Sequence, residues 1–537
     1  MRINIIYVFF LIFLGVFFEE QESFSQITIY RADPQAAEKY FVNHNYSSAI
    51  KVYQLLLKKE PTNLEYNQKI AESYLLSGSI KAMAIPPLEF LIKQPKFPNE
   101  VWLDLGRAYH FTYRFEEAIS AYNTYKGLVS KDKNEVEKIN ILTEQCYNGR
   151  ELYKHPLKVL FENLGKNINS ETPDFYPVIA PDESVLYYTS RRKGITSDKA
   201  EFDGLFSSDI LYSQKKDGKW QKAQSVGLQI NTNFDEQVLD VSEDGTIMLF
   251  YIDHIDLFGD IWIVRRLNNK SAWLKPTPLS DEINAGLETS ASIYKNPLTE
   301  EEILLVASSR SGTPEIPNYG ETDIYMTKKL PTGEWGKLKN LGPNINTKFK
   351  EEFPHFSEDG KTLFFASQGH STMGGFDIFK SLFDEATQTW SAPKNLGYPI
   401  NTPDNDLSMS FTADPRIAYI SAMREGGQGD LDVYRVIFEE LEPKETIYRG
   451  YVISDDSISA ISTAKIEVFD RATNALQGTY IPSPNNCYFV LSIPPGKWKL
   501  EASSGGYEIY HEDITIFEEV HKFSPEISKN IKLKKSK

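Results

Sequence analysis

Cysteine is nearly absent: the 537 residues include two, Cys146 and Cys487. That excludes a disulfide framework and a four-thiolate zinc site. The two lie in segments read below as different domains, so no bridge between them is expected. A basic surplus is also missing, since 58 Lys and Arg stand against 74 Asp and Glu, a formal net charge of -16. Nucleic-acid binding needs a basic face that displaces counterions, and an anionic membrane surface attracts the same sign, so both partner classes are excluded. Beyond the N-terminus no apolar stretch is long enough to span a bilayer, so no direct membrane span is expected. Catalytic signatures are lacking as well. There is no G-x-S-x-G elbow, no H-E-x-x-H and no phosphate loop, and none of the eight histidines pairs at i, i+3 or i, i+4. No catalytic, cofactor-binding or metal-ligating residue is assigned, no cofactor is expected, and the chain is read as no enzyme. Aromatic side chains, by contrast, are abundant: 13% of residues, with 30 Tyr and 32 Phe, types that favour strands.

The N-terminus reads as an export signal. Arg2 supplies a positive start, and residues 5–18 are apolar except for Gly15. The run is short for a membrane span, and Ser23 and Ser25 offer the small residues of a cleavage site. Residues 1–25 are therefore read as a cleaved signal peptide. No cysteine follows the run, so a lipid anchor is not available.

Residues 30–153 carry a helical repeat. Ala37, Ala71 and Gly106 are spaced 34 and 35 apart, each followed three residues later by Tyr40, Tyr74 or Tyr109. Ala49, Tyr53, Leu56 and Pro61 complete one unit; Trp102, Leu105, Ala118, Tyr122 and Tyr125 belong to another. Small residues at this period let a neighbouring helix approach. Pro86-Pro87 is expected to interrupt the second helix of the middle unit. A last helix, about 134–153, is expected to cap the stack. On these residues the segment resembles the tetratricopeptide family. The resemblance implies an α-helical solenoid with a groove that binds protein segments.

Residues 156–440 carry a larger repeat. Ile-Asn doublets recur at Ile168, Ile230, Ile283, Ile345 and Ile400, spaced 62, 53, 62 and 55. Out of phase with them, Asp-aliphatic doublets begin at Asp209, Asp260, Asp323, Asp377 and Asp432. Short apolar strands lie between, several preceded by Ser-Glu-Asp-Gly turns whose glycine accepts positive φ. Trp220, Trp273, Trp335 and Trp390 close turns into the next strand. About four strands per period define a β-propeller, with five blades favoured and six possible. The first strand, within 157–169, lacks its blade, and the last unit lacks that strand, so pairing the two ends would close the ring. The Ser-Glu-Asp-Gly turns, the strand at 362–367 and the motif from Gly374 to Phe379 resemble TolB-like, WD-type β-propellers of exported bacterial proteins. The likeness concerns the fold.

Four carboxylates stand in equivalent positions: Asp174, Glu236, Glu351 and Asp406 each lie eight residues before Asp182, Asp244, Asp359 and Asp414. Blade 3 breaks the pattern through an insertion. One reading is a carboxylate ring around a channel mouth that holds a cation or a basic partner segment. The other, favoured because repeats copy structural residues, is turn and cap chemistry. Arg191, Arg192, Arg265, Arg266, Arg310 and Arg424 follow successive strands; one reading is a face that binds an acidic group, and the favoured one is exposed charges at strand ends.

Residues 444–534 alternate like short strands, with turns at Pro494-Pro495-Gly496 and Gly505-Gly506. Spacing suits a small seven-stranded β-sandwich. Arg449-Gly450-Tyr451-Val452, Ile466-Glu467-Val468, Tyr488 through Trp498 and Gly506-Tyr507 resemble the carboxypeptidase regulatory-like, transthyretin-like domain. At Asn486-Cys487 the chain departs from that family's pattern.

The order signal, solenoid, propeller, sandwich resembles the PorE-like, OmpA-family envelope proteins of Bacteroidetes-type bacteria. That resemblance implies a periplasmic, outer-membrane-associated scaffold that binds other envelope proteins, linked to type IX secretion or gliding machinery. The OmpA-like domain that grips peptidoglycan is not found up to Lys537, so peptidoglycan contact is not expected. The alternative function is a propeller-based glycan-binding receptor or glycosidase of the envelope.

Overall fold

The structure is a computed structural model that describes residues 30–78, 81–196, 199–253, 259–296, 299, 301–357, 360–384, 387–439, 446–456, 459–484, 486–516 and 527–536. The segment read as a signal peptide and Asp359 lie outside the described residues.

Seven α-helices come first: α1 (Pro34–Val42), α2 (Tyr46–Lys59), α3 (Leu64–Leu76), α4 (Ile85–Leu91), α5 (Glu100–Phe111), α6 (Phe115–Leu128) and α7 (Lys133–Lys154). Side-chain oxygens start several of them. Asp33 accepts from the Gln35 and Ala36 amides, Asn45 from Ser48, Asn63 from Tyr66 and Asp132 from Asn134 and Glu135. Each satisfies donors that the first helical turn leaves orphaned. Ala37, Ala49, Ala71, Ala108 and Ala118 are fully buried between helices. Gly106 shows why the position must be small: a Cβ there would stand 2.4 Å from the Tyr122 ring of α6. Pro86 and Pro87 do not interrupt a helix. They lie in the first turn of α4, after a 3-10 turn at Lys81–Ala84, where a missing N–H breaks no helical bond.

Five antiparallel sheets follow among the described residues, each built outward from an innermost strand. These strands are Asp174–Ile179 in sheet 1, Asp235–Val241 in sheet 2, Glu288–Lys295 in sheet 3, Glu351–Phe356 in sheet 4 and Met409–Phe411 in sheet 5. In sheet 5 the outermost strand comes from the other end of the region. Val159–Asn163 pairs antiparallel with Asp432–Phe438, from Val159 opposite Phe438 to Asn163 opposite Tyr434. Closure therefore uses both ends of the repeat, and Val159–Asn163 covers the edge that Asp432–Phe438 would otherwise present.

Each innermost strand is tied to a neighbouring sheet by side-chain hydrogen bonds. The Val238 amide donates to Thr189 Oγ1, Ile293 to Asp240 Oδ2, Phe353 to Ser290 Oγ and Ile179 to Ser410 Oγ. Side chains of Val178, Asp240, Ile293, His355 and Ser410, one from each sheet, surround a single cavity of about 60 Å3. Sheets radiating from one axial cavity make a β-propeller. Apolar side chains fill each seam between adjacent sheets, with Trp220, Trp273 and Trp390 buried there.

The C-terminal part is a two-layer sandwich. One sheet holds Thr446–Ser454, Tyr488–Ile493, Ile527–Ser528 and Ile531–Leu533; the other holds Lys465–Asp470, Leu476–Tyr480, Gly496–Ser503 and Tyr510–Ile516. Eight strands replace the seven expected, because the last segment pairs with Thr446–Ser454 in two short pieces, parallel to it. Tyr448, Leu491, Leu500 and Ile531 lie at its buried centre. Both cysteines are free and buried. Among the described residues no helix is long and apolar enough to cross a membrane.

Candidate functional site

The two doublets of the large repeat meet in space. In every sheet the asparagine of an Ile-Asn doublet reaches the strand that begins with an Asp-aliphatic doublet. Its side-chain oxygen accepts the aliphatic residue's N–H, and its amide donates to the same residue's carbonyl. The pairs are Asn169–Val433, Asn231–Ile210, Asn284–Ile261, Asn346–Ile324 and Asn401–Ile378, all at 2.8–3.1 Å. One side chain thereby satisfies both main-chain groups of a buried residue.

Asp174 and Glu351 open the innermost strands of sheets 1 and 4, Glu236 is the second residue of that of sheet 2, Asp406 lies just before that of sheet 5, and all four are buried. Each turns back into its own loop. Asp174 accepts from the Ser170 amide at 2.6 Å and hydroxyl at 2.8 Å; Glu351 accepts from Thr347 at 2.8 and 2.7 Å; Asp406 accepts from Thr402 at 2.6 and 2.9 Å. Glu236 accepts from the Thr232 amide at 2.9 Å and also from its hydroxyl. The rule is a Ser or Thr four residues before an acid.

Sequence reasoning missed a fifth member, Glu288 in sheet 3. Ala285 stands where the hydroxyl would be, so the Gly286 amide, Ser308 Oγ and Arg310 Nη2 donate instead. An acid closely following an Ile-Asn doublet was the available signal. Burial pushes Glu236 up to about 8 and Glu351 and Asp406 up to about 7, and raises Asp174 and Glu288, against the lowering effect of those donors. Among the described residues no three His, Cys, Asp or Glu side chains group closely enough to hold a metal ion.

The arginines read as exposed charges are engaged in the fold. Arg192 donates to the Ile168 carbonyl and Asp174, both at 2.5 Å. Arg310, 8% exposed, donates to the Ile283 carbonyl at 2.5 Å and to Glu288 at 3.1 Å. His370 holds the Ile345 carbonyl in the same way, and Arg424 holds Pro399. A basic residue two or three positions after the second strand thus caps the carbonyl of an Ile-Asn doublet or its neighbour. Arg191 pairs with Glu201 and Asp203, Arg265 with Glu302, and Arg266 stacks on Trp273. The correction has a simple cause: loops fold back over strand ends, and a repeat leaves the same carbonyl needing a donor each time.

Near the axis Tyr176 and Phe353 stand at equivalent bulges with φ of 53° and 49°. Their rings touch at 4.6 Å between centroids, although sheets 1 and 4 are not neighbours in the ring. The pair bridges the opening.

The three parts of the chain converge beside sheet 4. Glu144 on α7 accepts from Tyr451 Oη at 2.7 Å and Asn486 Nδ2 at 2.9 Å in the sandwich. Asn148, one turn on, accepts from Tyr488 Oη at 2.7 Å and donates to the Thr372 carbonyl of the propeller at 2.9 Å. Arg449 of the sandwich donates to the His370 carbonyl at 2.5 Å. Around this network Phe115, Tyr147, Met373, Ile447 and Val490 form one apolar cluster drawn from all three parts.

No protein-family model and no curated protein sequence matches the chain. Solved structures do. TolB from Acinetobacter baumannii shares 15% identity at a TM-score of 0.29 over 50% of this chain and 55% of its own. An alpha-L-arabinofuranosidase from Lactobacillus brevis shares 14% at 0.27, over 40% and 74%. A puromycin-hydrolyzing peptidase of Mycobacterium tuberculosis shares 14% at 0.25, over 65% and 48%. The chain thus spans about half of TolB and of the peptidase. Two of these neighbours are enzymes, so the expectation that this chain is none does not stand; at this level the likeness concerns the fold alone. Missing linear motifs do not decide it, because one fold hosts many functions.

Proposed function

We propose that the chain is an exported, periplasmic, outer-membrane-associated binding scaffold that joins envelope proteins of the type IX secretion or gliding machinery. In this reading the helices are a tetratricopeptide solenoid, the five sheets are the blades of a TolB-like propeller, and the sandwich is a carboxypeptidase regulatory-like domain. One observation carries it. Three modules of interaction type are fastened to one another by the Glu144 and Asn148 network, so their outer surfaces are held in a defined relative position. A scaffold needs that property, because partners bound to different modules must meet at a set geometry. The buried carboxylates and their Ser, Thr and Arg partners serve the propeller's architecture in this reading. Their oxygens accept from donors of their own loops and of the neighbouring strand end in the same sheet.

The test is in-cell crosslinking of the tagged full-length chain, followed by isolation from envelope fractions. Enrichment of outer-membrane secretion or gliding components is expected. Isolation with no envelope protein above an untagged control overturns the proposal.

A further inference from the structure

We propose that residues 371–375, between the second and third strands of sheet 4, are an intramolecular ligand of α5–α7: a latch that holds the three modules together and occupies a place for a competing peptide. The inference rests on the scaffold reading and adds its regulation.

The segment is a turn followed by bends, and it is held through its main chain. Its main-chain carbonyls go to side-chain donors on the helices: Thr372 to Asn148 at 2.9 Å and Met373 to His110 Nε2 at 2.8 Å. Gln145 donates to Thr372 Oγ1 at 3.4 Å. Burial pushes His110 down to about 4, so its ring is neutral and Nε2 carries the proton that the Met373 carbonyl accepts.

One side chain goes in. Met373 is fully buried, the one propeller residue in the buried part of the cluster containing Phe115 and Tyr147. α7 has a glycine opposite, where a Cβ on Gly149 would stand 2.7 Å from the Phe115 ring and 3.3 Å from the Met373 Cβ. An unbranched, flexible thioether suits such an irregular socket. The next two residues must be glycine. A Cβ on Gly374 would lie 2.3 Å from the Pro403 carbonyl carbon, and one on Gly375 would lie 2.0 Å from Asn405 Oδ1.

The propeller presents the segment in shape: Asp377 accepts the Met373 amide at 2.9 Å, and Asn395 donates to the Ser371 carbonyl at 3.1 Å. The sandwich closes over it through Tyr488 on Asn148 and Arg449 on His370. Beside the segment a cleft of about 250 Å3, lined by Arg107, His110, Leu142, Gln145, Gly374 and Asp404, gives a competitor a point of entry. The occupant that fits the helices is a short bent peptide that presents one methionine-like side chain.

The experiment uses the full chain with Met373→Asp, Met373→Ala and Met373→Leu, and a fluorescent peptide of residues 368–377. Retained near-ultraviolet circular dichroism confirms that the propeller stays folded, and Met373→Ala serves if the aspartate variant does not. Wild type and Met373→Leu are expected to scatter X-rays as one compact body and to bind no peptide. The aspartate and alanine variants are expected to expand and to take up the peptide saturably. Variants that scatter like wild type, or peptide uptake equal in all four proteins, overturn the latch. Neither result touches the envelope crosslinking test, so the two proposals fail separately.

Discussion

Asn169 and Val433 lie 264 residues apart and hold each other by two hydrogen bonds, Val433 N–H to Asn169 Oδ1 at 2.8 Å and Asn169 Nδ2 to the Val433 carbonyl at 3.0 Å. Of the five such clamps this one spans the seam where the two ends of the propeller meet, beside the paired strands Val159–Asn163 and Asp432–Phe438. Asn169→Ala leaves the Val433 N–H buried without its partner, at about 1–3 kcal/mol, and leaves its carbonyl only the Leu164 amide at 3.3 Å. Denaturant unfolding should show a loss of that order. Amides of 159–163 should exchange faster, whereas Asn284→Ala should destabilise without that local effect. Equal protection of 159–163 in all three proteins would contradict the seam assignment.

The raised carboxylates make a pH prediction. Glu236 at about 8 and Glu351 at about 7 bind a proton more tightly in the folded chain than at their ordinary value of 4.5. Their contribution to stability is therefore fully present below about pH 4.5 and is lost as pH rises through 7 to 8. Glu236→Gln and Glu351→Gln remove that component. Thermal melts from pH 5 to 8 should show a smaller fall in Tm for each variant than for wild type. An unchanged difference across the range would place these acids in water.

Gly106 tests the helical packing. A Cβ 2.4 Å from the Tyr122 ring cannot be accommodated without movement. Gly106→Val should cost about 1–3 kcal/mol by overpacking, and Tyr122→Leu in the same chain should restore part of it. Additive losses would show that the two positions do not touch.

Glu144 fastens the sandwich to α7. Glu144→Ala leaves Tyr451 Oη and Asn486 Nδ2 without their shared acceptor. Calorimetry should show the sandwich melting apart from the rest, with a loss of about 1–3 kcal/mol at the junction. A single unshifted transition would remove this contact from the account.

The connection after α7 is short and packed. Leu157 N–H donates to the Tyr398 carbonyl at 2.7 Å, and Tyr153 lies against Tyr398 with centroids 4.7 Å apart. Protease should leave residues 154–158 intact at concentrations that nick surface loops, and Tyr398→Ala should expose them.

Much of this was legible in particular residues. Ala37, Ala71 and Gly106 announced helices that pack on small positions, and the two sets of doublets announced a repeated β unit closed by its own ends. What escaped was pairing. The Ile-Asn and Asp-aliphatic doublets were visible as separate series, yet nothing in their spacing said that Asn169 clamps Val433. The acids Asp174, Glu236, Glu351 and Asp406 stood out by register, whereas Glu288 did not, because Ala285 and an insertion hid it. The arginines read as exposed because a strand end is usually wet; here a loop returns over it. Pro86-Pro87 read as a break because their place within the helix depends on where the helix starts.

Periodicity alone determined the kinds of element and their order, since a strand or helix pattern is a local property and each repeat unit makes most of its contacts within itself. Tertiary structure decided which donors each buried acid meets, that Tyr176 reaches Phe353 across the axis, and that Met373 enters the helices. Those outcomes depend on how loops of irregular length turn back on their own strands and, for Met373 and Phe353, on contacts between groups far apart in the chain. Buried polar groups then take whatever partner the fold puts within reach.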